Sequence, residues 1–366
     1  MLTAQGCADR RKRLQHELED SGCDLFVTGS FRTAYYLTGV LSPAEQPILF
    51  AMRADGATTL VTSSQPGHYT GELIPVEFYS IARTITQPFH DAAKLFSQAM
   101  GWSTAHGRCA VELSSTGTLA ASAIQAEIAD ATEMVLRLRK QKEEDEIDEI
   151  RFSLRCCAAA YEAARETIAP GLTEIDVYNA MYAAVTREAG APVHFPGDFA
   201  CGLRGIRGGG PPTKRVIQQG DLYILDLFPA PALYAGDVCR TFAVGEPTEL
   251  QFRAWELVRE AAHIGEQAIR PGVRARDVYA QIKDFLDAHD LTEKSFWHHA
   301  GHGIGHHGHE APRIIPGTAD IFEVGDVITL EPGVYTSAMQ GGIRLEDNYV
   351  VRNDGLENLF DYPLWL

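Results

Sequence analysis

The chain has 366 residues, 45% apolar and 22% charged, a composition that fits a globular protein of about two domains and excludes disordered and fibrous classes. Its formal charge of -17 argues against nucleic acid or an anionic membrane surface as partner, because both select basic patches. No apolar run has spanning length, and the opening MLTAQGCADRRKR lacks the apolar core of a signal peptide, so a soluble, cytoplasmic protein is expected.

Residues 1–136 read as a separate α/β domain. Helical charge periodicity over 10–21 ends at Gly22, and 24–28 reads as a buried strand. Ile48–Arg53 and Thr58–Thr62 flank an Asp55-Gly56 step, which favours a tight hairpin. Residues 108–112 form a further strand candidate and 118–128 a helix candidate. No stretch of this domain carries a chemical motif. The seven cysteines lack ligand-like CxxC spacing and are expected as buried, reduced thiols, with no metal role for the adjacent Cys156 and Cys157.

The boundary falls in the charge-dense run RLRKQKEEDE at 137–146, which opens a second domain over 137–366. Ile147, Ile150, Leu154, Cys157 and Tyr161 recur at steps of three and four, one face of a long helix that stops at Pro170-Gly171. A second helix opens at Thr173, with Asp176 three places on as a capping-box variant.

An internal repeat follows. The stretch beginning Ile168-Ala-Pro-Gly matches that beginning Ile269-Arg-Pro-Gly at an offset of 101 residues. A Gly-Asp pair and an apolar strand lead to Asp226 in GDLYILD and to Glu331 in GDVITLE, an offset of 105. A second acid follows each across turn residues, Asp237 after 11 positions and Glu346 after 15. Agreement of two features at almost one offset points to duplication, with two β-hairpins aiming four carboxylates at a cleft between the halves.

Four such acids repel one another unless cations neutralise them, and two divalent ions balance four charges. Oxygen-rich ligation with a histidine suits Mn²⁺ best, with Co²⁺, Fe²⁺ and Zn²⁺ also able to bind. His302, in the Gly-rich turn GHGIGHHGHE, supplies the nitrogen, and His309, seven residues later, can face the same cleft. His298, His299, His306 and His307 have no matching place in the repeat and are expected to be structural.

These residues carry a resemblance. LDLF with YAGDVCRTF, GHGIG followed by HEAP, LEPGVY and GIRLED resemble the pita-bread metallopeptidases, the family of aminopeptidase P, prolidase and methionine aminopeptidase. RTAYYLTG at 32–39 resembles the creatinase-type domain that precedes the catalytic domain in the proline-specific branch. The resemblance implies an α+β protein, a pseudo-symmetric pita-bread domain behind a smaller α/β creatinase-like one. It implies that Asp226 binds one metal, His302 and Glu331 the other, and that Asp237 and Glu346 bridge both. Glu331 is the implied proton shuttle, His309 the group that stabilises the oxyanion or holds substrate, and Arg344 a partner for the carboxylates. The implied substrates are Xaa-Pro dipeptides or short proline-containing peptides, and the implied assembly is a homodimer.

One position departs from the family pattern. A substrate-handling histidine is expected 17 residues before the first aspartate, where this chain has Gly209, and His194 is the nearest upstream histidine. That departure leaves open a family member with altered substrate, or one that binds metal or a peptide-like ligand with little turnover. A substrate-carboxylate arginine is not assignable among Arg204, Arg207 and Arg313.

Overall fold

The computed structural model describes residues 1–101, 107–289, 291 and 296–366. The chain forms two compact units, Met1–Arg139 and Lys140–Leu366.

The first unit alternates helices and strands: α1 (Ala4–Ser21), β1 (Leu25–Thr28), α2 (Phe31–Thr38), β2 (Ile48–Arg53), β3 (Thr58–Thr62), β4 (Glu72–Pro75), α3 (Gln87–Met100), β5 (Arg108–Val111), α4 (Thr118–Ala121), β6 (Glu127–Asp130) and α5 (Thr132–Lys140). Its six strands make one mixed sheet in the order β4-β3-β2-β1-β5-β6. Side chains alternate across a strand, so Phe26 joins a core with Leu14 and Leu18 of α1, while Leu25 and Val27 meet Ala92 and Phe96 of α3 on the other face. The expected hairpin joins β2 to β3, with the Asp55 carboxylate accepting the Ala57 N–H at 2.9 Å. The helix expected over 118–128 is only the single turn α4. From Glu127 the chain instead pairs in parallel with β5, and a one-turn helix has too few internal bonds to compete with that ladder.

The second unit contains α6 (Glu144–Thr167), α7 (Glu174–Ala189), β7 (Gly197–Cys201), β8 (Leu222–Leu227) and β9 (Val238–Ala243) in its first half. The second half has α8 (Glu249–Ala268), α9 (Ala275–Asp287), β10 (Gly301–Gly303), β11 (Glu310–Ile314), β12 (Val327–Leu330), β13 (Gly333–Thr336), β14 (Gly341–Arg344), β15 (Asp347–Arg352) and β16 (Gly355–Asn358). Thr173 and Asp176 cap α7 reciprocally, as the sequence predicts, and Ile147, Ile150, Leu154, Cys157 and Tyr161 are the buried face of α6. The repeated Pro-Gly turns share a backbone requirement. Gly171 and Gly272 have φ of 96° and 88°, in the region that favours glycine.

The sheets repeat as well. In the first half β7, β8 and β9 are antiparallel neighbours, and in the second β10, β12 and β15 stand in the same relation, flanked by β11 and β16. The second hairpin is not a plain one, because the two-stranded ribbon β13–β14 is inserted between its arms. A bridge between Cys239 and Glu346 joins the halves, each residue donating its N–H to the other's carbonyl. Tyr161 fastens α6 beneath this seam, its hydroxyl 3.2 Å from the Leu225 carbonyl and 2.7 Å from that of Val238. All seven cysteines are buried and unbonded to one another. Among the described residues no helix is long and apolar enough to cross a membrane.

Candidate metal centre

The two hairpins deliver their acids to one cleft. Asp226 sits near the end of β8, Asp237 just before β9, Glu331 directly after β12, and Glu346 between β14 and β15. His302 lies on β10, and all five side chains line a cleft of about 440 Å³ that His309 and Arg344 also line. The four acids and His302 are each less than a tenth exposed, whereas His309 is exposed.

Backbone and neighbouring side chains fix each group. Asp237 is clasped by Asn348 of β15, whose amide oxygen accepts the Asp237 N–H at 3.1 Å and whose amide nitrogen donates to the Asp237 carbonyl. His302 Nδ1 is 3.1 Å from the Gly303 carbonyl, which can only accept, so Nδ1 carries a proton and Nε2 is the nitrogen turned to the cleft. Nε2 faces carboxylate oxygens, Glu331 Oε1 at 3.3 Å and Asp237 Oδ2 at 3.7 Å. A proton between Nε2 and Glu331, or a divalent ion in its place, satisfies that arrangement.

Two further observations fit a cation there. Asp226 Oδ1 and Glu346 Oε2 are buried with no hydrogen-bond donor among the described residues. One ligand atom each from Asp237, His302 and Glu346 lie within 4.8 Å of one another, as do those of His298, His299 and Glu331. The donor set, mostly carboxylate oxygen with imidazole nitrogen, suits hard to borderline divalent ions.

The electrostatics follow from burial. It pushes Asp226 up to about 6, against the pull of Arg344, with Asp198 and Glu331 adding to the rise. Asp237 and Glu346 are also raised well above the ordinary carboxylate value, by burial and then by their acidic neighbours. Burial acts upward on Glu331 too, yet hydrogen bonds from His299 and His302 hold it well below the usual range. Arg344, itself buried, donates to Asp226, to the Gly208 carbonyl at 2.8 Å and to the Tyr335 hydroxyl at 3.2 Å. It is therefore a direct partner of one carboxylate of the set.

His309 stacks edge-on to His302 with ring centroids 4.3 Å apart. Although the residue keeps an exposed edge, partial burial of its ring pushes it down to about 4, with His302 and His299 adding to the fall, so the ring is uncharged at neutral pH. A buried ion pair, Lys142 Nζ to Glu310 Oε2 at 2.9 Å, holds the end of the loop that carries it.

Sequence reasoning passed over several cleft residues. His298 and His299, expected to be structural, both line the cleft. His299 Nδ1 is 2.9 Å from Glu331 Oε1, and His298 Nε2 is 2.8 Å from the Tyr335 hydroxyl. The Glu331 N–H donates to the Ala300 carbonyl at 2.9 Å, just beyond the β10–β12 pairing, a contact invisible in the repeat that sets Glu331 beside these histidines. His306 and His307 do not line the cleft, and His306 instead packs on Tyr234 with its Nδ1 3.0 Å from the Leu233 carbonyl. His194 is exposed and also lies outside the cleft lining. Of the three arginines, Arg207 lines the cleft, whereas Arg204 is tied to Glu174 and Arg313 is not among the lining residues.

Gly209 lines the cleft and has a close neighbour. A Cβ placed on it would lie 2.1 Å from the carboxylate of Asp198, a β7 residue paired in register with Asp226.

Residues 148–353 match the family described as metallopeptidase family M24, and residues 10–141 match the creatinase/prolidase N-terminal domain. A probable dipeptidase PepE of Mycobacterium bovis is 32% identical over 243 residues, 64% of this chain and 62% of that protein. An Xaa-Pro dipeptidase of Pyrococcus furiosus is 32% identical over 224 residues, 61% of this chain and 63% of that protein. The matched stretch thus spans less than two thirds of either relative. Among solved structures, an Xaa-Pro dipeptidase from Bacillus anthracis superposes with a TM-score of 0.82 at 26% identity, covering 98% of this chain and 99% of that one.

Proposed function

Because this chain belongs to metallopeptidase family M24 and carries a creatinase/prolidase N-terminal domain, we propose that it is a dinuclear-metal exopeptidase cleaving Xaa-Pro bonds in dipeptides or short peptides. The observation that carries the reading is His302 Nε2 turned toward Glu331 and Asp237, beside oxygens of Asp226 and Glu346 that have no donor among the described residues. Asp226, Asp237, His302, Glu331 and Glu346 would hold two divalent ions, Mn²⁺ by donor type, with Co²⁺, Fe²⁺ or Zn²⁺ as substitutes. Bound in such a set, the ions supply activation of water and polarisation of the scissile carbonyl.

The chain's own groups carry the remaining work. Glu331, kept ionised by His299 and His302, accepts the proton of the attacking water and passes it to the leaving amine. His309, neutral and adjacent to His302, donates an N–H to the developing oxyanion. Arg344, at the cleft wall, keeps the Asp226 carboxylate in place by donating to it. A reducing compartment, the cytoplasm, is supported by seven buried cysteines without a disulfide. A homodimer is the assembly the family resemblance implies, and light scattering tests it.

A second reading is favoured by one observation: Gly209 stands where the resemblance expects a substrate histidine. It makes the protein a relative with altered substrate or little peptidase activity that still binds metal. A panel of Xaa-Pro dipeptides and Xaa-Pro-Yaa tripeptides with Mn²⁺-loaded protein separates the two. Proline release supports the peptidase, and failure on the whole panel with two ions bound supports the second reading. Less than one bound ion per chain after Mn²⁺ loading rejects the dinuclear centre in both.

A further inference from the structure

Asp198 has no part in the chemistry described above, yet it reaches the same cleft. It is the register partner of Asp226 across β7 and β8, and Arg344 Nη2 contacts both, at 3.2 Å on Asp198 Oδ2. Its other oxygen accepts the Gly210 N–H at 2.8 Å. These contacts hold the carboxylate in one orientation while leaving the side chain 35% exposed, at the wall of the cleft.

Gly209 makes this placement possible. Any Cβ there would fall 2.1 Å from the Asp198 carboxylate, so a side chain at 209 and this position of Asp198 exclude each other. The cleft wall therefore offers a carboxylate at the point where a residue-209 side chain would otherwise stand.

We propose that Asp198 forms an ammonium-binding subsite of the cleft and selects ligands that carry a protonated primary amine. A carboxylate is acceptor-only with about four lone-pair directions. Among the described residues two donors, Gly210 N–H and Arg344, occupy it, so acceptor capacity remains on the exposed edge. An anion gains nothing from that edge, whereas an ammonium gains charge-assisted hydrogen bonds. The neighbourhood of Asp226 fixes what such a ligand does next. The N-terminal ammonium of a peptide is on the carbon beside its first carbonyl, so an ammonium held at Asp198 keeps that carbonyl close to the acidic cluster. Asp198 is on this account a specificity-determining residue, and the assignment of its ligand to a peptide rests on the peptidase reading.

The test is calorimetric binding to chelator-treated protein, which reads the subsite whether or not the protein turns peptides over, followed by Michaelis constants with Mn²⁺. The probes are Ala-Pro, N-acetyl-Ala-Pro, Lys-Pro and Nα-acetyl-Lys-Pro, against wild type, Asp198→Asn and Asp198→Glu. Loss of a charge-assisted bond should weaken Ala-Pro binding about tenfold or more in Asp198→Asn. N-acetyl-Ala-Pro should change by less than about twofold, and Asp198→Glu should recover part of the loss. A residue that merely steadied Arg344 would alter the free and acetylated ligands alike, so the difference between them is the decisive readout. If the side-chain amine is the group recognised, Nα-acetyl-Lys-Pro keeps the dependence on Asp198 and Ala-Pro shows none, which still supports an ammonium site. Equal effects on all four ligands, or no binding by wild type, overturn the proposal. Proline release by wild type with no Asp198 dependence overturns the subsite while leaving the peptidase reading standing; amine-dependent binding without turnover does the reverse.

Discussion

A buried acid whose folded-state pKa is raised binds its proton more tightly folded than unfolded. Asp226, pushed from 3.8 to about 6, chiefly by burial, therefore contributes stability that is fully present below its unfolded value and is lost as pH rises through about 6. Asp237 and Glu346 act in the same sense, while Glu331, held low, adds stability above its unfolded value that is lost only in stronger acid. Chelator-treated protein should therefore become less stable between about pH 4 and pH 6, with Asp226 accounting for on the order of 3 kcal/mol. Denaturation midpoints across that range should show a shallower loss in Asp226→Asn, and an unchanged slope would mean that Asp226 is already ionised at pH 4. At the same scale His309, pushed down to about 4 mainly by burial, is neutral wherever the protein is assayed near pH 7. His309→Ala should lower kcat by about 10²–10³-fold and leave the bound-ion content unchanged. A fall in ion content instead would make His309 a ligand.

Elements decide which of these residues were legible in advance. The Gly-Asp, apolar strand and acid recur at nearly one offset, so the four carboxylates and the two hairpins could be read from the chain. Asp198 could not. It follows a Pro-Gly step, has no counterpart acid in the second half, and enters the cleft only because β7 pairs with β8 in the register that sets it opposite Asp226. His298 and His299 were hidden for the same reason, since their approach to Glu331 depends on a ladder between segments some thirty residues apart. The same ladders carry two expected outcomes. Asn348→Ala removes both bonds that clasp the Asp237 backbone, so it should cost about 2 kcal/mol and weaken Mn²⁺ binding about tenfold or more. Titration calorimetry checks the second figure, and unaltered affinity would show that Asp237 is placed by other contacts. Gly209→His, which restores the residue type expected from the family pattern, should not raise peptide turnover, because its Cβ collides with Asp198. A gain in proline release from that single variant would show that Asp198 yields the space easily.

At the scale of the whole molecule, the carboxylate cluster lies entirely within one of two units that each have their own core. Phe26, Phe50 and Leu60 are among the residues packed in Met1–Arg139, and Val258, Ile282 and Ile328 among those in Lys140–Leu366. Bringing Asp226, Asp237, Glu331 and Glu346 together opposes folding of the second unit alone, because like charges gathered out of water repel. A cation that binds only the folded cluster stabilises that unit by mass action, about 2.7 kcal/mol at a free concentration one hundred times the Kd. Scanning calorimetry of chelated protein should then resolve two transitions, of which Mn²⁺ raises one and leaves the other in place. Limited proteolysis at each temperature identifies the transition that moves as that of residues 140–366. If both shift together, the two cores melt as a single cooperative block and the stabilisation is shared; if neither shifts, the four acids are neutralised by protons rather than by metal, and the dinuclear centre fails with them.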